Sequence, residues 1–277
     1  MNLFNVPNLG VPNDPVPTEK TLIEQLAQQD IPGYTLVVMN TVKIFNTVNP
    51  QYIIDQITER QDKKLIFVCQ HINVGQINWY GNIVCTPHAT VNDYFISVPH
   101  YAVNFKDVKK VPSMTETENG KKYFFSFLGA GWTSPVRRRL IEMYPEYCFD
   151  TLVSWGIDKK DDKEFVNKYL DLLDDSYYSL CPRGTGIGSI RLWESMAMNS
   201  WPIIIADGYK KPLEDILRWN DFSITLKEND IDNLKQKIIE KLKTNIFRQA
   251  QDVYLGYFSN DKLYLSVTIE MKNRGLI

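Results

Sequence analysis

From residue 123 onward the chain alternates short apolar, β-rich runs with segments of helical periodicity. YFFSFLGA (123–130), YCFDTLVSW (147–155), YYSLCP (177–182), PIIIA (202–206) and FSITL (222–226) read as strands. Residues 134–144, 161–174, 188–199, 212–219 and 231–243 read as helices between and after them. The strands are apolar continuously rather than at every second position, so both of their faces must be covered. Five such βα units predict a parallel, doubly wound sheet, an architecture that binds ligands at the carboxyl ends of its strands.

The first 110 residues carry a smaller α/β pattern. The opening seventeen residues, with four prolines, predict an extended arm. Thr18 precedes LIEQLAQQ, a helix ending near Asp30, and Pro50 opens a helix over 50–60. YTLVVMN (34–40), LIFVCQ (65–70), NIVCT (82–86) and YFISV (94–98) read as strands. The polar stretch KDVKKVPSMTETENGKK (106–122) separates the halves, giving domains at 1–110 and 123–245 with a linker at 111–122. Residues 246–277 predict a helical segment that returns to the first domain.

With a formal charge of −2, the chain has no bulk attraction for nucleic acid or anionic lipid, so anion binding must come from a local cluster. No apolar run reaches the roughly 18 residues that a membrane span needs, and no basic n-region precedes an apolar h-region. Absence of both predicts work in the cytoplasm. The four cysteines, at 69, 85, 148 and 181, have neither disulfide-framework nor zinc spacing and are expected to be reduced and buried.

The local cluster is CPRGTGIGSIRLWES (181–195), placed where a strand gives way to a helix. Gly184 and Gly186 permit close backbone approach, and the helix that follows offers unpaired N–H groups and the positive end of its dipole. Arg183 and Arg191 add guanidinium forks suited to phosphate, and Ser189 adds a hydroxyl at the cap. The dinucleotide fingerprint and the P-loop both fail here, because position 189 is serine and 190 isoleucine. Glu194, on the Arg191 face, is either a hydrogen-bond acceptor for ribose hydroxyls or the partner of an intrahelical salt bridge. A second loop, LGAGWTSPVRRRL (128–140), repeats the design with Gly129, a Thr133 or Ser134 cap and Pro135. Successive helical residues point about 100° apart, so one arginine of Arg137, Arg138 and Arg139 faces the ligand edge. Arg137, nearest the helix start, is the expected one.

The segment 181–224 resembles the C-terminal block of exostosin-like glycosyltransferases, glycosyltransferase family forty-seven, whose pattern is close to PRG-x-G-x-x-S-x-RL-x-EA followed by IPVI and LPFEDVIDW. FLGAGWTSPVRRRL is similar to the loop that opens the same half of the family, and FISVPHYAVNF (95–105) more loosely to the part before it. The resemblance implies an α/β, GT-B-like fold of two Rossmann-like domains. The doubly wound sheet of the C-terminal half would bind the nucleotide sugar, and a reduced N-terminal domain would bind the acceptor.

It further implies an inverting, metal-independent transfer from a UDP-sugar to a glycan hydroxyl. Xylose or glucuronic acid is the preferred donor sugar, with galactose and arabinose open, and no cofactor is expected. Arg137, Arg183, Gly184, Gly186, Ser189, Arg191 and Glu194 carry over as the donor site. Inversion needs a general base. Near strand ends stand His71, His88 and His100, of which His71 and His100 are the candidates, with Asp93 and Asp207 as the carboxylate candidates; Asp207 is alternatively a sugar ligand or the start of a turn with Gly208. Trp132 and Trp155 are placed to flank the base or donor sugar. The one D-x-D match, Asp230-Ile231-Asp232, opens a predicted helix and reads as a cap rather than a metal site. The competing expectation is a binding module that keeps the diphosphate pocket without turnover.

Overall fold

The computed structural model of the chain describes residues 1–5, 15–47, 49–104, 120–152, 162–242 and 250–277. It contains two compact units: Met1–Tyr101 with Gly208–Ile216 and Tyr257–Ile277, and Ala102–Asp207 with Leu217–Gly256. Each is built on a five-stranded sheet whose strand pairs are all parallel. Among the described residues no helix is long and apolar enough to cross a membrane.

The first sheet runs in chain order: β1 (Asn2–Asn5), β2 (Tyr34–Val38), β3 (Lys64–Val68), β4 (Ile83–Thr86) and β5 (Phe95–Ser97). β3 shows why both faces are covered. Leu65 and Phe67 enter one apolar cluster with Ile54 and Ile57, whereas Ile66 and Val68 enter another with Leu22, Leu26, Leu263 and Val267. The helices α1 (Pro17–Ala27), α2 (Thr41–Phe45) and α3 (Pro50–Thr58) supply those faces, together with the last helix (Leu263–Asn273). Prolines at the first turns of α1 and α3 suit positions whose N–H would have no helical partner, and Asn49 caps α3 through the Tyr52 N–H. Thr18 lies inside α1 and accepts a hydrogen bond from the Tyr101 N–H instead of capping the helix.

Sequence and structure differ at the start. Asn2–Asn5 forms an edge strand paired with β2, with Leu3 opposite Leu36, rather than an arm; residues 6–14 lie outside the described residues. The first sheet has five strands, as the second does.

The second sheet comprises β6 (Tyr123–Gly129), β7 (Cys148–Asp150), β8 (Ser176–Pro182), β9 (Trp201–Ile205) and β10 (Ile224–Leu226), in the order β10-β9-β8-β6-β7. The chain therefore steps outward from β6 to β7, returns to the other side of β6, and proceeds through β8, β9 and β10. That reversal puts the topological switch point between β6 and β8, where the loops that leave the two strands diverge. The helices are α4 (Pro135–Met143), α5 (Lys163–Asp174), α6 (Ile190–Ala197), α7 (Leu234–Leu242) and the short α8 (Ala250–Val253).

Four expected elements change. Of the strand expected over 147–155, Cys148–Asp150 forms β7 and residues 151–152 do not continue it, while 153–161, including Trp155, lie outside the described residues. No helix forms over 212–219: Leu213 sits at φ +54, and the segment Gly208–Ile216 groups with the first unit, where the Lys210 N–H donates to Ala89 O at 3.0 Å and the Ser97 hydroxyl to Lys210 O at 2.6 Å. Residues Glu228–Asn233 form 3-10 turns before α7. The final segment is broken, with a π turn over Tyr254–Phe258 before the last helix, α9 (Leu263–Asn273). Residues 111–119 of the linker lie outside the described residues.

Candidate functional site

The loops at the switch point carry the predicted arginines. Ser134 caps α4 by accepting the Arg137 N–H at 3.3 Å, while its own hydroxyl donates to Arg183 O at 2.9 Å. One side chain thus fixes the helix start and ties the loop after β6 to the loop after β8. Arg137 extends the tie, donating from Nε to Arg183 O at 3.0 Å and from Nη2 to Pro182 O at 3.2 Å. Its neighbours Arg138 and Arg139 are exposed, and Arg139 pairs with Asp232 at 2.7 Å.

Gly184 and Gly129 act by leaving space. A Cβ on Gly184 would meet Arg137 Nη2 at 3.0 Å, and one on Gly129 would meet the Phe127 ring at 2.9 Å and Arg191 Nη2 at 3.4 Å. The approach at Gly184 is filled by the Arg137 head, and that at Gly129 first by the Phe127 ring and then by Arg191. Gly186 closes the loop, its carbonyl accepting the Gly184 N–H at 3.2 Å.

Arg191 is buried between two rings, its Cζ 4.8 Å from the centroids of both Phe127 and Tyr169. Its Nη1 is buried with no hydrogen-bond partner among the described residues. A guanidinium N–H left without an acceptor costs on the order of 1–3 kcal/mol or more, so such a group points to an absent acceptor. Burial first, then the charges of Arg191 and Arg183, hold the Arg137 guanidinium down at about 10. Three mutually repelling cations, of which only Arg183 pairs with a carboxylate among the described residues, thus stand together in a chain of net charge −2.

Glu194 resolves the two readings of its position against the salt bridge. It makes no ion pair with Arg191; it is buried, and its oxygens accept from the Tyr169 hydroxyl at 2.6 Å and from Asn104 Nδ2 at 2.8 Å. Burial raises its carboxyl above the ordinary 4.5, against the pull of Tyr169, Arg191 and Asn104. Ser189 occupies the N-cap of α6, and its hydroxyl makes no capping bond. Arg183 donates from Nε to Glu228 Oε1 at 2.6 Å. Asp207, just beyond β9, accepts the Glu228 N–H at 3.3 Å.

Sequence reasoning missed Tyr169, Asn104, Phe127 and Glu228. Glu228 carried a usable signal, since it stands two residues beyond β10, at the same sheet edge as Arg183 and Asp207. The D-x-D aspartates are engaged elsewhere: Asp230 accepts the Lys227 N–H at 2.9 Å, and Asp232 holds Arg139. A cavity of about 740 Å³ in this unit is lined by Tyr123, Leu128, Phe149, Lys168 and Asp171 and contains none of the arginines. Volume and chemistry therefore separate, and the charge cluster defines the site.

The histidines gather at the carboxyl end of the first sheet. His88 and His100 are buried with ring centroids 5.0 Å apart, and burial, reinforced by His71, lowers His88 to about 4. His71 stacks on Phe45 at 4.3 Å, and its Nδ1 accepts the Asn73 N–H at 3.1 Å, which puts its proton on Nε2. Nearby Glu19, buried and raised in pKa by that burial, accepts from the Gln70 N–H at 3.0 Å and from the Thr41 hydroxyl and N–H. All four cysteines are buried thiols.

Fold and site together define an α/β protein with three arginines gathered at a sheet switch point. The chain belongs to the Exostosin GT47 domain family, whose model matches residues 45–242. A probable glycosyltransferase of Arabidopsis thaliana is 30% identical over 117 residues, which are 40% of this chain and 20% of that protein. A probable glucuronoxylan glucuronosyltransferase of the same plant is 32% identical over 89 residues, 32% of this chain and 19% of that one. Exostosin-1c of Danio rerio is 28% identical over 111 residues, 38% of this chain and 15% of that one. The chain thus spans a fifth or less of the length of these relatives.

Proposed function

We propose that the chain is a glycosyltransferase that moves a sugar from a UDP-sugar to a glycan hydroxyl, with inversion and without a metal ion. The observation that carries the reading is Arg191, sandwiched between Phe127 and Tyr169 with a buried Nη1 that lacks an acceptor, beside Arg137 and Arg183. A diphosphate supplies the missing acceptor and the missing negative charge. As it departs with growing charge, fixed guanidinium groups stabilise it more than they stabilise the intact donor. Ser189 and Gly186 line the same loop, and a ribose hydroxyl would reach Glu194 at the place Asn104 Nδ2 holds. Relatives named as glucuronosyltransferases support a uronic acid donor, with xylose as the other favoured sugar.

A second reading, binding without turnover, draws on His71. With its proton on Nε2, that nitrogen donates to an acceptor hydroxyl and does not take its proton. His100 and Asp207 are then the groups to test as base. Calorimetry with UDP, alongside a panel of UDP-sugars followed for UDP release, separates the readings. Release in the presence of a glycan acceptor supports transfer, binding without release under every donor supports the module, and absence of UDP binding sinks both.

A further inference from the structure

The carboxylate beside Arg183 has no place in a simple anion pocket. Glu228 and Asp207 form a reciprocal clasp across the ends of β9 and β10: the Glu228 N–H donates to Asp207 Oδ1 at 3.3 Å, and the Asp207 N–H donates to Glu228 Oε1 at 3.4 Å. The same Oε1 accepts Arg183 Nε at 2.6 Å, and Arg183 Nη1 reaches back to Gly184 O at 3.3 Å. The guanidinium plane therefore spans from Glu228 to the glycine loop. Two negative charges next to a diphosphate site oppose binding, so their presence calls for a compensating effect. The ion pair gives little stability by itself, since its side chains are 31% and 21% exposed. Orientation is the larger effect, because a free arginine on a loop loses several torsions on meeting a ligand.

We infer that Glu228, fixed by Asp207, is a positioning residue that holds Arg183 by its Nε and turns the rest of the guanidinium toward the diphosphate. This rests on the donor-site reading above. It moves Asp207 from the chemistry to the support of an arginine, and it assigns a role to a glutamate that sequence reasoning missed.

The test is a double-mutant cycle read by calorimetry with UDP and with uridine, on the wild type, Glu228→Ala, Arg183→Ala and the double variant. Glu228→Ala should weaken UDP roughly three- to tenfold, the cost of immobilising one long side chain, and leave uridine unchanged. In the Arg183→Ala background it should have no further effect. Thermal melting checks that each variant is folded; if Glu228→Ala is not, Glu228→Gln, which keeps an acceptor for Nε, should show a smaller loss with the same dependence on Arg183. Tighter UDP binding by the Glu228 variants would make the glutamate a plug and overturn the inference, as would an unchanged affinity or a loss that persists without Arg183. A wild type that binds UDP while the cycle fails refutes this inference alone; a wild type that does not bind UDP refutes the donor site with it.

Discussion

The Arg137 guanidinium lies so close over the backbone of Gly184 that a Cβ there would stand 3.0 Å from Nη2 and 3.1 Å from Cζ. Arg137 is held on the other side by Arg183 O, Pro182 O and the Thr133 hydroxyl, so it has nowhere to retreat. Gly184→Ala should therefore lower stability by about 1–3 kcal/mol, the usual cost of overpacking, and weaken UDP as well. Unchanged melting together with unchanged UDP affinity would show that the arginine moves freely.

Arg191 is the strongest donor-site prediction. Its replacement by alanine should weaken UDP by about 1.5–3 kcal/mol, the range for a charge-assisted hydrogen bond, while uridine binding changes little. Arg191→Lys keeps the charge but loses the flat contact with Phe127 and Tyr169, and should recover only part of the affinity. Calorimetric titration with both ligands checks the pair.

Tyr169 holds the buried Glu194 by its hydroxyl, at 2.6 Å. Tyr169→Phe removes that donor and keeps the ring on Arg191, so it should lower stability by about 1–3 kcal/mol without abolishing UDP binding. A denaturant titration that shows no loss would mean that Glu194 finds another donor.

His88 predicts a pH dependence. Its pKa is about 4 in the folded protein against the ordinary 6.5, so the unfolded chain takes up this proton first as pH falls. The stabilisation is complete above 6.5 and is lost progressively as pH falls toward 4, by about 3 kcal/mol in all. The difference in unfolding free energy between wild type and His88→Gln should shrink over that interval. A constant difference from pH 7 to 4 would mean that burial does not suppress protonation here.

Transfer activity should survive EDTA. Asp230 is used on the Lys227 N–H and Asp232 on Arg139, so the D-x-D match is engaged in local structure. Asp230→Ala should cost about 1 kcal/mol of stability, as the loss of a cap does, with activity retained per folded molecule. Activity lost to EDTA and restored by manganese would count against the metal-free reading.

The sequence made the second sheet and its arginine loops legible because apolar continuity and glycine-arginine spacing are local signals. Asn2–Asn5 escaped because an edge strand with mostly exposed side chains needs no apolar alternation; its partner supplies the hydrogen bonds. The helix expected over 212–219 breaks at Leu213, whose φ is +54, while Lys210 just before it is tied to Ala89 and Ser97, distant residues that no periodicity reveals. At the site, residue types were readable but their partners were not. Arg183 and Glu194 were identified as pocket members, yet Glu228, Tyr169 and Asn104, which decide how each is aimed, lie 45, 25 and 90 residues away.

The last helix has a consequence for the order of synthesis. Leu263, Val267 and Met271 complete the apolar cluster over Ile66, Val68 and Cys85, so one face of the first sheet is finished by residues made after every strand of both sheets. On a ribosome the second unit has all its strands before that face is sealed, and the first waits with aliphatic surface exposed. Of the two described units, the one whose strands come first in the chain has its apolar face closed last.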